Sequence, residues 1–397
     1  MTAAAAPLRV AMLTYSVRPR GGVVHALEVS AALADRGHDV ELIAIGEAGA
    51  EFFRPPQVPA IVFEHAAPLS PFDARIAAMI DAYATGLREL LGARRYDVVH
   101  AQDCISAHAA LTLRDEGLVP HVLRTVHHVD AFTTPSLVAC QRRSIVAPDA
   151  VVCVTTPWVE RVRAEFGVRA GLVRNGVDPR RYRPARDAAE RAGVRAELDL
   201  GERLVVLAIG GIEHRKGSVA LLEGFACLRR ELPERDPLLV VAGGATLFDH
   251  RDEIGRFARR REELGLDDRV VRLLGPVADE RVQRLYRAAD VLAFPSVVEG
   301  FGLVVLEAMA SALPVVTTDL DVLRDVAVHD RSALVAPAGD ADAFGRELCR
   351  AAQDDALRAR LRAGARAVVD RYGWDAAAQA HERAYADLLA RTAAVPA

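Results

Sequence analysis

Short apolar runs alternate with longer segments of helical period along the whole chain. The runs are rich in Val, Leu and Ile, and Gly, Pro or Asp residues bound them. Such runs are typical of parallel strands that are covered on both faces. They are LRVAML, DVELIAI, DVVHA, VLRTVH, AVVCV and GLVRN in the first half, and RLVVLAIG, PLLVVAGG, RVVRLLG, DVLAFPS, PVVTT and SALVAP in the second. The pattern predicts an α/β chain with two βαβ halves, each built on a parallel sheet.

Chain length and the positions of proline and arginine residues predict where the domains divide. A chain of 397 residues exceeds the roughly 250 to 300 residues at which a single core stops growing. Two prolines and an arginine-rich stretch follow the last apolar run of the first half, in GLVRNGVDPRRYRP. The predicted segments are 1–178, 179–372 and a final helix, 373–397. In that helix the apolar positions Trp374, Ala378 and Leu388 are predicted to form a buried face.

Composition excludes several classes of protein. A net charge of -4 and a pI near 6.3 provide no basic field for nucleic acid. The N-terminal residues lack the charged region and apolar core of a signal peptide, and no apolar run approaches the ~18 residues of a membrane span. We therefore expect a cytoplasmic protein. The five cysteines lack C-x-x-C spacing and are odd in number, so we expect small buried apolar residues rather than disulfides or a zinc site.

The segment IGGIEHRKGS contains Lys216, the single lysine among 50 Lys and Arg residues. A glycine-rich turn follows a predicted strand, and Ser218 is predicted to cap the helix that begins at VALLEGF. Free amides and the positive end of a helix dipole favour an anion such as a phosphate. A compact ammonium group differs from a guanidinium as a phosphate ligand. The alternative is a solvated lysine with no ligand.

A second segment, PSVVEGFGLVVLEAMA, places Glu299 and Glu307 around a helix start. The glycines Gly300 and Gly302 allow close approach of the backbone to a ligand, and the first amides of the helix, Phe301 to Leu303, can face it. One carboxylate can accept two hydroxyls of a vicinal diol. The pair could therefore hold two sugar rings on either side of a diphosphate. The alternative interpretation is one glutamate placed favourably at a helix start and one unrelated surface glutamate.

The first half holds two weaker signals. Gly21 and Gly22 precede a predicted helix and form either an anion site or a plain turn. His127 and His128 end a predicted strand, with Asp130 two residues on, at the sheet edge where ligands bind. Either histidine could instead be structural. His100, Cys104 and His108 have metal-like spacing but are predicted to lie on different elements, so no metal site is expected.

Together these segments resemble the retaining glycosyltransferases of family 4, whose GT-B fold has two Rossmann-like domains facing a central cleft. EGFGLVVLEAMA matches the family's E-x7-E signature, and RNGVD matches its interdomain segment. The N-terminal glycine loop, the helical segment HALEVSAALADRGHDV and the C-terminal segment YGWD follow one another in the same order as in the family. The resemblance covers nearly the whole chain.

The resemblance implies metal-independent sugar transfer, with retained configuration, from a UDP- or GDP-linked sugar to an unidentified small-molecule, glycan or lipid acceptor. It implies no cofactor. It implies that Glu307 holds the ribose, Glu299 and His127 the transferred sugar, and Lys216 the diphosphate, which Gly22 lines. Lys216, Glu299 and His127 are the predicted catalytic residues. The further predicted donor-site residues are Gly21, His128, Asp130, Asn175, Arg215, Gly275, Gly300, Phe301, Gly302 and Leu303.

The chain departs from the family pattern at the diphosphate loop. Gly211 occupies the position of the family's usual arginine, and Arg215 is the nearest substitute. Downstream, Asp321, Val322, Arg324 and Asp325 replace the family's usual Gly-Gly and Pro-Glu. Two alternatives therefore stay open: a silent nucleotide-sugar binding protein and a GT-B nucleotide-sugar epimerase. Arginines near the end of the segment 73–96 leave peripheral membrane contact open as well, beside a solvated face.

Overall fold

The computed structural model describes residues 6–66, 72–244 and 251–393. The chain divides into two compact units. The first comprises Met1–Gly176 together with Trp374–Ala397, and the second comprises Val177–Gly373. Within the described residues, no helix is both long and apolar enough to cross a membrane.

The first unit contains a parallel sheet in the order β3-β2-β1-β4-β5-β6-β7. Its strands are β1 (Arg9–Thr14), β2 (Asp39–Gly46), β3 (Ala60–Glu64), β4 (Val98–Ala101), β5 (Val122–Val126), β6 (Ala150–Cys153) and β7 (Gly171–Leu172). Its helices include α1 (Gly21–Asp35), α2 (Phe72–Ala93), α3 (Cys104–Asp115), α4 (Pro135–Val146) and α5 (Thr156–Phe166). The central strands are buried along almost their whole length, which is why they appear in the sequence as continuous apolar runs.

The second unit contains a parallel sheet in the order β10-β9-β8-β11-β12-β13. Its strands are β8 (Val205–Ile209), β9 (Leu238–Ala242), β10 (Val271–Gly275), β11 (Val291–Phe294), β12 (Val315–Thr318) and β13 (Leu334–Ala336). Its helices are α6 (Ala188–Glu197), α7 (Ser218–Glu231), α8 (Arg251–Glu263), α9 (Asp279–Ala288), α10 (Leu303–Ala310), α11 (Ala341–Gln353) and α12 (Asp355–Val369), as far as the described ranges extend. The predicted class, two parallel-sheet α/β halves, is confirmed.

Helix α13 (Trp374–Ala393) follows the second unit in the sequence but belongs to the first. It packs against α1, and the predicted face is buried at Trp374, Ala378 and Leu388. The fully buried Tyr385 also lies on this face, and its hydroxyl lies 2.8 Å from His100 Nδ1. Residues 394–397 of the predicted helix lie outside the described residues.

Strand β3 was not predicted. Its sequence, AIVFE, contains only a short apolar run, and its residues are half-buried or exposed. It pairs with β2 alone at the edge of the sheet. An edge strand with one neighbour does not need the continuous apolar pattern that identified the others.

Candidate functional site

The candidate site of the second unit lies at the carboxyl ends of β8 and β11, which are neighbours in the sheet. Strand β8 leads through α7 to β9 on one side, whereas β11 leads through α10 to β12 on the other. The loops that follow the two strands therefore run in opposite directions. Such a switch point is where parallel α/β sheets bind ligands. Lys216 lies on the first loop and Glu299 on the second.

The loop after β8 is a compact turn closed by a serine. It contains a short 3-10 turn, His214–Lys216, and then Gly217, whose φ is 65°. The prediction that Ser218 caps α7 is wrong, because Gly217 occupies the N-cap position. The Ser218 hydroxyl instead accepts from the Glu213 amide at 3.0 Å and donates to the Glu213 carbonyl at 3.1 Å. Ser218 thus fixes the loop that carries Lys216.

Lys216 and Glu299 form an ion pair across the switch point. The Lys216 Nζ lies 2.5 Å from Glu299 Oε1, and their side chains are only 16% and 8% exposed. The Ser296 hydroxyl donates to the same carboxylate oxygen at 2.9 Å, and the Lys216 ammonium lies 5.0 Å from the centre of the Phe294 ring. Burial acts to raise the pKa of Glu299, but the charges of Lys216 and Arg215 and the hydrogen bonds outweigh it and lower the pKa. Glu299 is therefore an ionised acceptor of hydroxyl groups.

The two loops are joined by backbone contacts. The Val297 amide donates to the Arg215 carbonyl at 2.8 Å. A Cβ atom added at Gly217 would lie 2.0 Å from the Pro295 carbonyl oxygen, well inside any allowed contact. Only glycine therefore permits this approach of the two loops, and the approach brings Lys216 to Glu299.

We expect Gly217→Ala to separate the loops and to destabilise the second unit by about 3 kcal/mol or more, because a clash is added to backbone strain. Gly265→Ala is the matched control. Gly265 has nearly the same φ, 64°, but open space at the Cβ position, so it should cost only about 1 to 2 kcal/mol. Chemical unfolding followed by circular dichroism measures both variants. Equal losses of stability would contradict the proposed close approach.

Arg215 approaches the same carboxylates. Its Nε lies 2.6 Å from Glu213 Oε2 and its Nη1 lies 3.9 Å from Glu299 Oε1. Its side chain is 44% exposed, so it remains accessible to a ligand. Two cations of neighbouring residues, Arg215 and Lys216, therefore converge on the side chain of Glu299.

Glycines line the ends of β8, β9 and β10 beside this loop. A Cβ atom at Gly211 would lie 2.6 Å from the Gly244 carbonyl, and one at Gly243 would lie 2.2 Å from the Gly210 carbonyl. The Gly275 carbonyl accepts from the Gly243 amide at 2.9 Å. The backbone of these strand ends is consequently packed without side chains, and position 211 has no space for the arginine that the family pattern would place there.

Helix α10 begins without a side-chain cap. Its N-cap is Gly302, with φ of 87°, and Leu303 is the first helical residue, as predicted. Phe301 is buried and packs against the ring of Tyr372 with centroids 6.1 Å apart. Its ring therefore faces the core, and only its backbone can contribute to a ligand site. Uncapped amides at a helix start attract an anion.

Glu307 is the fifth residue of α10 and is buried, with 8% exposure. The Tyr286 hydroxyl donates to its Oε2 at 2.8 Å. Burial and the charge of Glu307 raise the pKa of Tyr286 well above its usual value, so Tyr286 stays a donor. Tyr286 was not predicted, because it lies on α9, far from the glutamate motif in sequence. Its contact holds the Glu307 carboxylate in one orientation.

In the first unit, the structure brings Gly22 and His127 together. Gly21 and Gly22 are the first residues of α1, and a Cβ atom at Gly22 would lie 3.3 Å from the His127 ring. The His127 Nε2 lies 2.9 Å from the Gln102 Oε1 and donates to it. Burial, with nearby His25 and Arg124, lowers the pKa of His127 well below its usual value. His127 is thus a neutral ring whose Nδ1 carries a lone pair. Gln102, directly after β4, was missed although its position at a strand end was a usable signal.

Asn175 is buried in the first unit, where its Oδ1 lies 2.6 Å from the Nδ1 of His25. His25 in turn packs edge-on against His127, with centroids 5.0 Å apart. The amide oxygen of Asn175 is therefore engaged by a buried histidine, and its contact with the predicted catalytic residue is indirect. Of the other predicted residues, His128 is exposed and lies 3.3 Å from Asp130 Oδ1.

The residues with metal-like spacing are engaged elsewhere. His100 lies on β4 and contacts Tyr385 and Thr125, whereas Cys104 and His108 lie on α3. In the part of the chain that the structure describes, no group of three metal-ligating side chains is arranged to hold an ion.

Comparison with known proteins identifies the chain. A family model described as Glycosyltransferase Family 4 matches residues 19–181, and one described as Glycosyl transferases group 1 matches residues 203–354. A D-inositol 3-phosphate glycosyltransferase from Xylanimonas cellulosilytica is 32% identical, over 96% of this chain and 97% of its own. These matches and the two parallel-sheet units define an enzyme of the GT-B glycosyltransferase class. The chain belongs to glycosyltransferase family 4.

Solved structures share the fold over nearly the whole chain. Sucrose-phosphate synthase from Thermosynechococcus elongatus matches with a TM-score of 0.80 at 22% identity, covering 97% of this chain and all of that one. The Anabaena protein HepE, in complex with UDP and glucose, matches with a TM-score of 0.78 at 17% identity, covering 96% of this chain and all of that one. At these identities the likeness concerns the fold alone.

Proposed function

We propose that this enzyme transfers a sugar from a nucleoside diphosphate sugar to an acceptor hydroxyl, with retention of the anomeric configuration and without a metal ion. The observation that carries the proposal is the largely buried ion pair of Lys216 and Glu299, 2.5 Å apart, at the switch point of the second unit. It combines a cation for a diphosphate with a carboxylate for sugar hydroxyls. The uncapped start of α10 follows on the same loop and adds favourable backbone amides.

The cations would stabilise the leaving diphosphate. As the bond between the anomeric carbon and the phosphate oxygen breaks, negative charge grows on the diphosphate, and Lys216 and Arg215 would meet that charge. This is the role that a metal ion fills in other transferases, so the two side chains support a metal-independent reaction. A phosphate oxygen of the leaving group would accept the proton of the attacking hydroxyl on the same face of the sugar, which retains the configuration.

Arg215 would replace the arginine that the family pattern places at Gly211. No side chain fits at position 211, because its Cβ atom would lie 2.6 Å from the Gly244 carbonyl. Arg215 instead approaches Glu299 from the other end of the loop. The absence of an arginine at position 211 is therefore no reason to favour a silent binding protein.

Glu307 would hold the ribose of the donor. Tyr286 fixes one carboxylate oxygen, and the rigid carboxylate would accept the two ribose hydroxyls. Glu299 would accept hydroxyls of the transferred sugar. The neutral His127, whose ring orientation is set by Gln102, would exchange hydrogen bonds with a hydroxyl without adding charge.

The named relatives suggest the first substrates to test. HepE was crystallised with UDP and glucose, and the curated relatives are named D-inositol 3-phosphate glycosyltransferases. We therefore include UDP-hexoses as donors and a cyclitol phosphate as an acceptor in the proposal. Membrane contact is not included, because two arginines of the candidate segment are occupied: Arg88 pairs with Glu116 at 2.7 Å, and Arg94 pairs with Glu41.

The test measures nucleoside diphosphate release from UDP-, GDP- and ADP-sugars, with and without cyclitol phosphates, and each assay is run both with and without a chelator. We expect release from one donor that rises when the acceptor is added, and proton NMR of the product should report the donor's own anomeric configuration. Glu307→Gln should weaken donor binding by about tenfold, because a neutral amide replaces a charged acceptor. Glu262→Gln, on α8, is a control that should leave donor binding unchanged.

Four outcomes would contradict the proposal. An inverted product, or loss of activity on chelation, would overturn the retaining or the metal-independent step. An isomerised sugar nucleotide formed without acceptor would identify an epimerase. Donor binding without release under any acceptor would identify a silent binding protein.

A further inference from the structure

A network of buried polar side chains leads from His127 to the C-terminal helix α13. The Nε2 of His127 lies 2.9 Å from Gln102 Oε1, and the Nε2 of Gln102 lies 3.1 Å from His100 Nε2. The Nδ1 of His100 lies 2.8 Å from the hydroxyl of Tyr385 on α13. Gln102 is 3% exposed, and His100 and Tyr385 are fully buried. Because these contacts are buried, each must pair a donor with an acceptor.

A sulfur atom sets the orientation of the Gln102 amide. The Nε2 of Gln102 donates to Met12 Sδ, on β1, at 3.0 Å, and Met12 is fully buried. A thioether sulfur can only accept a hydrogen bond, so the NH2 group of the amide faces Met12. The oxygen of the amide therefore faces His127. Since that oxygen can only accept, the single ring proton of the neutral His127 is on Nε2.

The same amide determines the tautomer of His100. Burial lowers the pKa of His100 well below its usual value, so the ring is neutral and has one N–H. Its Nε2 faces the second hydrogen of the Gln102 amide and lies 2.7 Å from Thr125 Oγ1, whose hydroxyl also donates to it. The N–H of His100 is therefore on Nδ1 and donates to the Tyr385 hydroxyl. The tautomers of His100 and His127 are thus linked through one amide.

The second ring nitrogen of His127 lies outside the buried network. A Cβ atom at Gly22 would lie 3.3 Å from Cδ2 and 3.4 Å from Nε2 of His127, so this edge of the ring faces the first turn of α1. Nδ1 is on the opposite edge, and it has no hydrogen-bond partner among the described residues. His127 is only half-buried. In the Nε2–H tautomer, Nδ1 can accept a hydrogen bond from a ligand but cannot donate one.

We propose that Tyr385 is a positioning residue for sugar transfer. Through His100 and Gln102 it keeps His127 in the Nε2–H tautomer, so that Nδ1 meets the donor sugar only as a hydrogen-bond acceptor. This proposal rests on the proposed function, in which His127 contacts the transferred sugar. The sugar must then offer a hydroxyl that donates, because fluorine or an ether oxygen at the same position would place one lone pair against another. A helix at the end of the sequence thus determines a donor preference of the first unit.

Loss of the Tyr385 hydroxyl should reverse the network. The Nδ1–H of His100 would have no acceptor, so the stable tautomer would become Nε2–H, with Thr125 as the acceptor. The Gln102 amide would then turn over, because its NH2 group would otherwise face an N–H. Its NH2 group would face His127 Nε2, and the stable tautomer of His127 would become Nδ1–H.

Tyr83 provides a matched control in the same unit. It is also fully buried, and its hydroxyl donates to the Ile43 carbonyl at 2.7 Å. Tyr83→Phe therefore removes one buried hydroxyl that takes no part in the network. Comparison of Tyr385→Phe with Tyr83→Phe separates an effect on the tautomers from a general loss of stability.

The first test reads histidine tautomers by NMR in the full-length protein without substrate. The histidines are labelled with ¹⁵N, and the spectrum of His127→Gln assigns the signals of His127. We expect the Nε2–H tautomer of His127 in the wild type and in Tyr83→Phe, and mainly the Nδ1–H tautomer in Tyr385→Phe. Gln102→Leu interrupts the network, so adding Tyr385→Phe to it should not change His127 further.

The second test compares donor sugars with their deoxyfluoro analogues. A site that is built to bond a hydroxyl rejects an analogue without it, so for the wild type we expect a loss of at least about a hundredfold in kcat/KM at one position of the sugar. In Tyr385→Phe the Nδ1–H can face fluorine, and this loss should shrink by about tenfold. Tyr83→Phe should keep the wild-type ratio.

An Nδ1–H tautomer of His127 in the wild type, or an unchanged tautomer in Tyr385→Phe, would overturn the proposal. Equal effects of Tyr83→Phe and Tyr385→Phe would overturn it as well, because Tyr385 would then only stabilise the fold. A changed tautomer with unchanged discrimination against fluorine would overturn the donor preference. The NMR test uses no substrate, so the expected tautomers without any sugar transfer would overturn the proposed function and leave the network intact.

Discussion

Replacing Lys216 with methionine is expected to lower kcat for sugar transfer by about a hundredfold to a thousandfold, the loss that follows removal of one preorganised donor to developing charge. Methionine keeps an unbranched apolar chain of similar shape and removes the ammonium group. Lys216→Arg is expected to recover little of the loss, because a planar guanidinium cannot occupy the 2.5 Å contact with Glu299 beside the Phe294 ring. The value of kcat is measured from the steady-state release of the nucleoside diphosphate by the wild type and by both variants.

Loss of folding must be separated from loss of chemistry in this experiment. Lys216→Met leaves the buried carboxylate of Glu299 without its main partner, which costs about 3 kcal/mol or more in comparable pairs. The double variant Lys216→Met/Glu299→Gln removes both charges. We expect it to regain stability but not turnover. If the single variant keeps more than about a tenth of the wild-type kcat, Lys216 does not stabilise the leaving group.

A strong acid sensitivity of the first unit is the second large effect that we expect. His25 and His381 are fully buried with ring centroids 5.3 Å apart. Burial lowers the pKa of His25 to about 4 and that of His381 to about 3. His25 also faces Asn175, His127 and Trp374, and none of these offers a negative charge to a protonated ring.

The sign of the pH effect follows from these pKa values. Unfolding returns each histidine to a pKa near 6.5, so the unfolded chain binds more protons below that pH. The stability due to the neutral rings is complete above about pH 6.5 and is lost as the pH falls towards 4. His25 alone accounts for about 3 kcal/mol of this loss at pH 4. The free energy of unfolding should therefore decrease steeply with acid between pH 6 and 5.

Tryptophan fluorescence can report this unit selectively. The chain has two tryptophans, Trp158 and Trp374, and both are buried in the first unit. Urea unfolding followed by their emission should give the predicted pH slope. His381→Leu should flatten the slope by up to one proton, whereas His65→Asn, at a half-buried position of the same unit, should leave it unchanged. A wild-type slope that is flat between about pH 6.5 and 5 would exclude buried neutral histidines.

The parallel strands and the motif residues were predictable for physical reasons. A strand buried on both faces must be apolar along its length, so β8 and β11 are visible as continuous runs. The ends of β8 and β11 also predict the two loops that carry the site residues. The structure places Lys216 of the first loop against Glu299 of the second. What could not be predicted depends on contacts distant in sequence. Tyr286 reaches Glu307 from another helix, and the partly exposed edge strand β3 is too short to show a distinctive pattern.

Predictions from local sequence were also wrong where a side chain could make either of two interactions. Ser218 stands at a position that favours helix capping, yet its hydroxyl closes the preceding turn on Glu213. Gly211 departs from the family pattern at the diphosphate loop. The physical reason is visible only in the structure, where the Gly244 carbonyl occupies the space that a side chain at position 211 would need.

The membership of α13 in the first unit has a consequence for biosynthesis. The partners of His381 and Tyr385 in that unit are made early, but α13 follows the whole second unit in the sequence. During translation the nascent first unit must therefore keep an apolar surface open to chaperones and to other nascent chains until α13 emerges from the ribosome. The first unit should therefore become resistant to proteases only when α13 leaves the exit tunnel. Completion of the sheet of the first unit should not be enough.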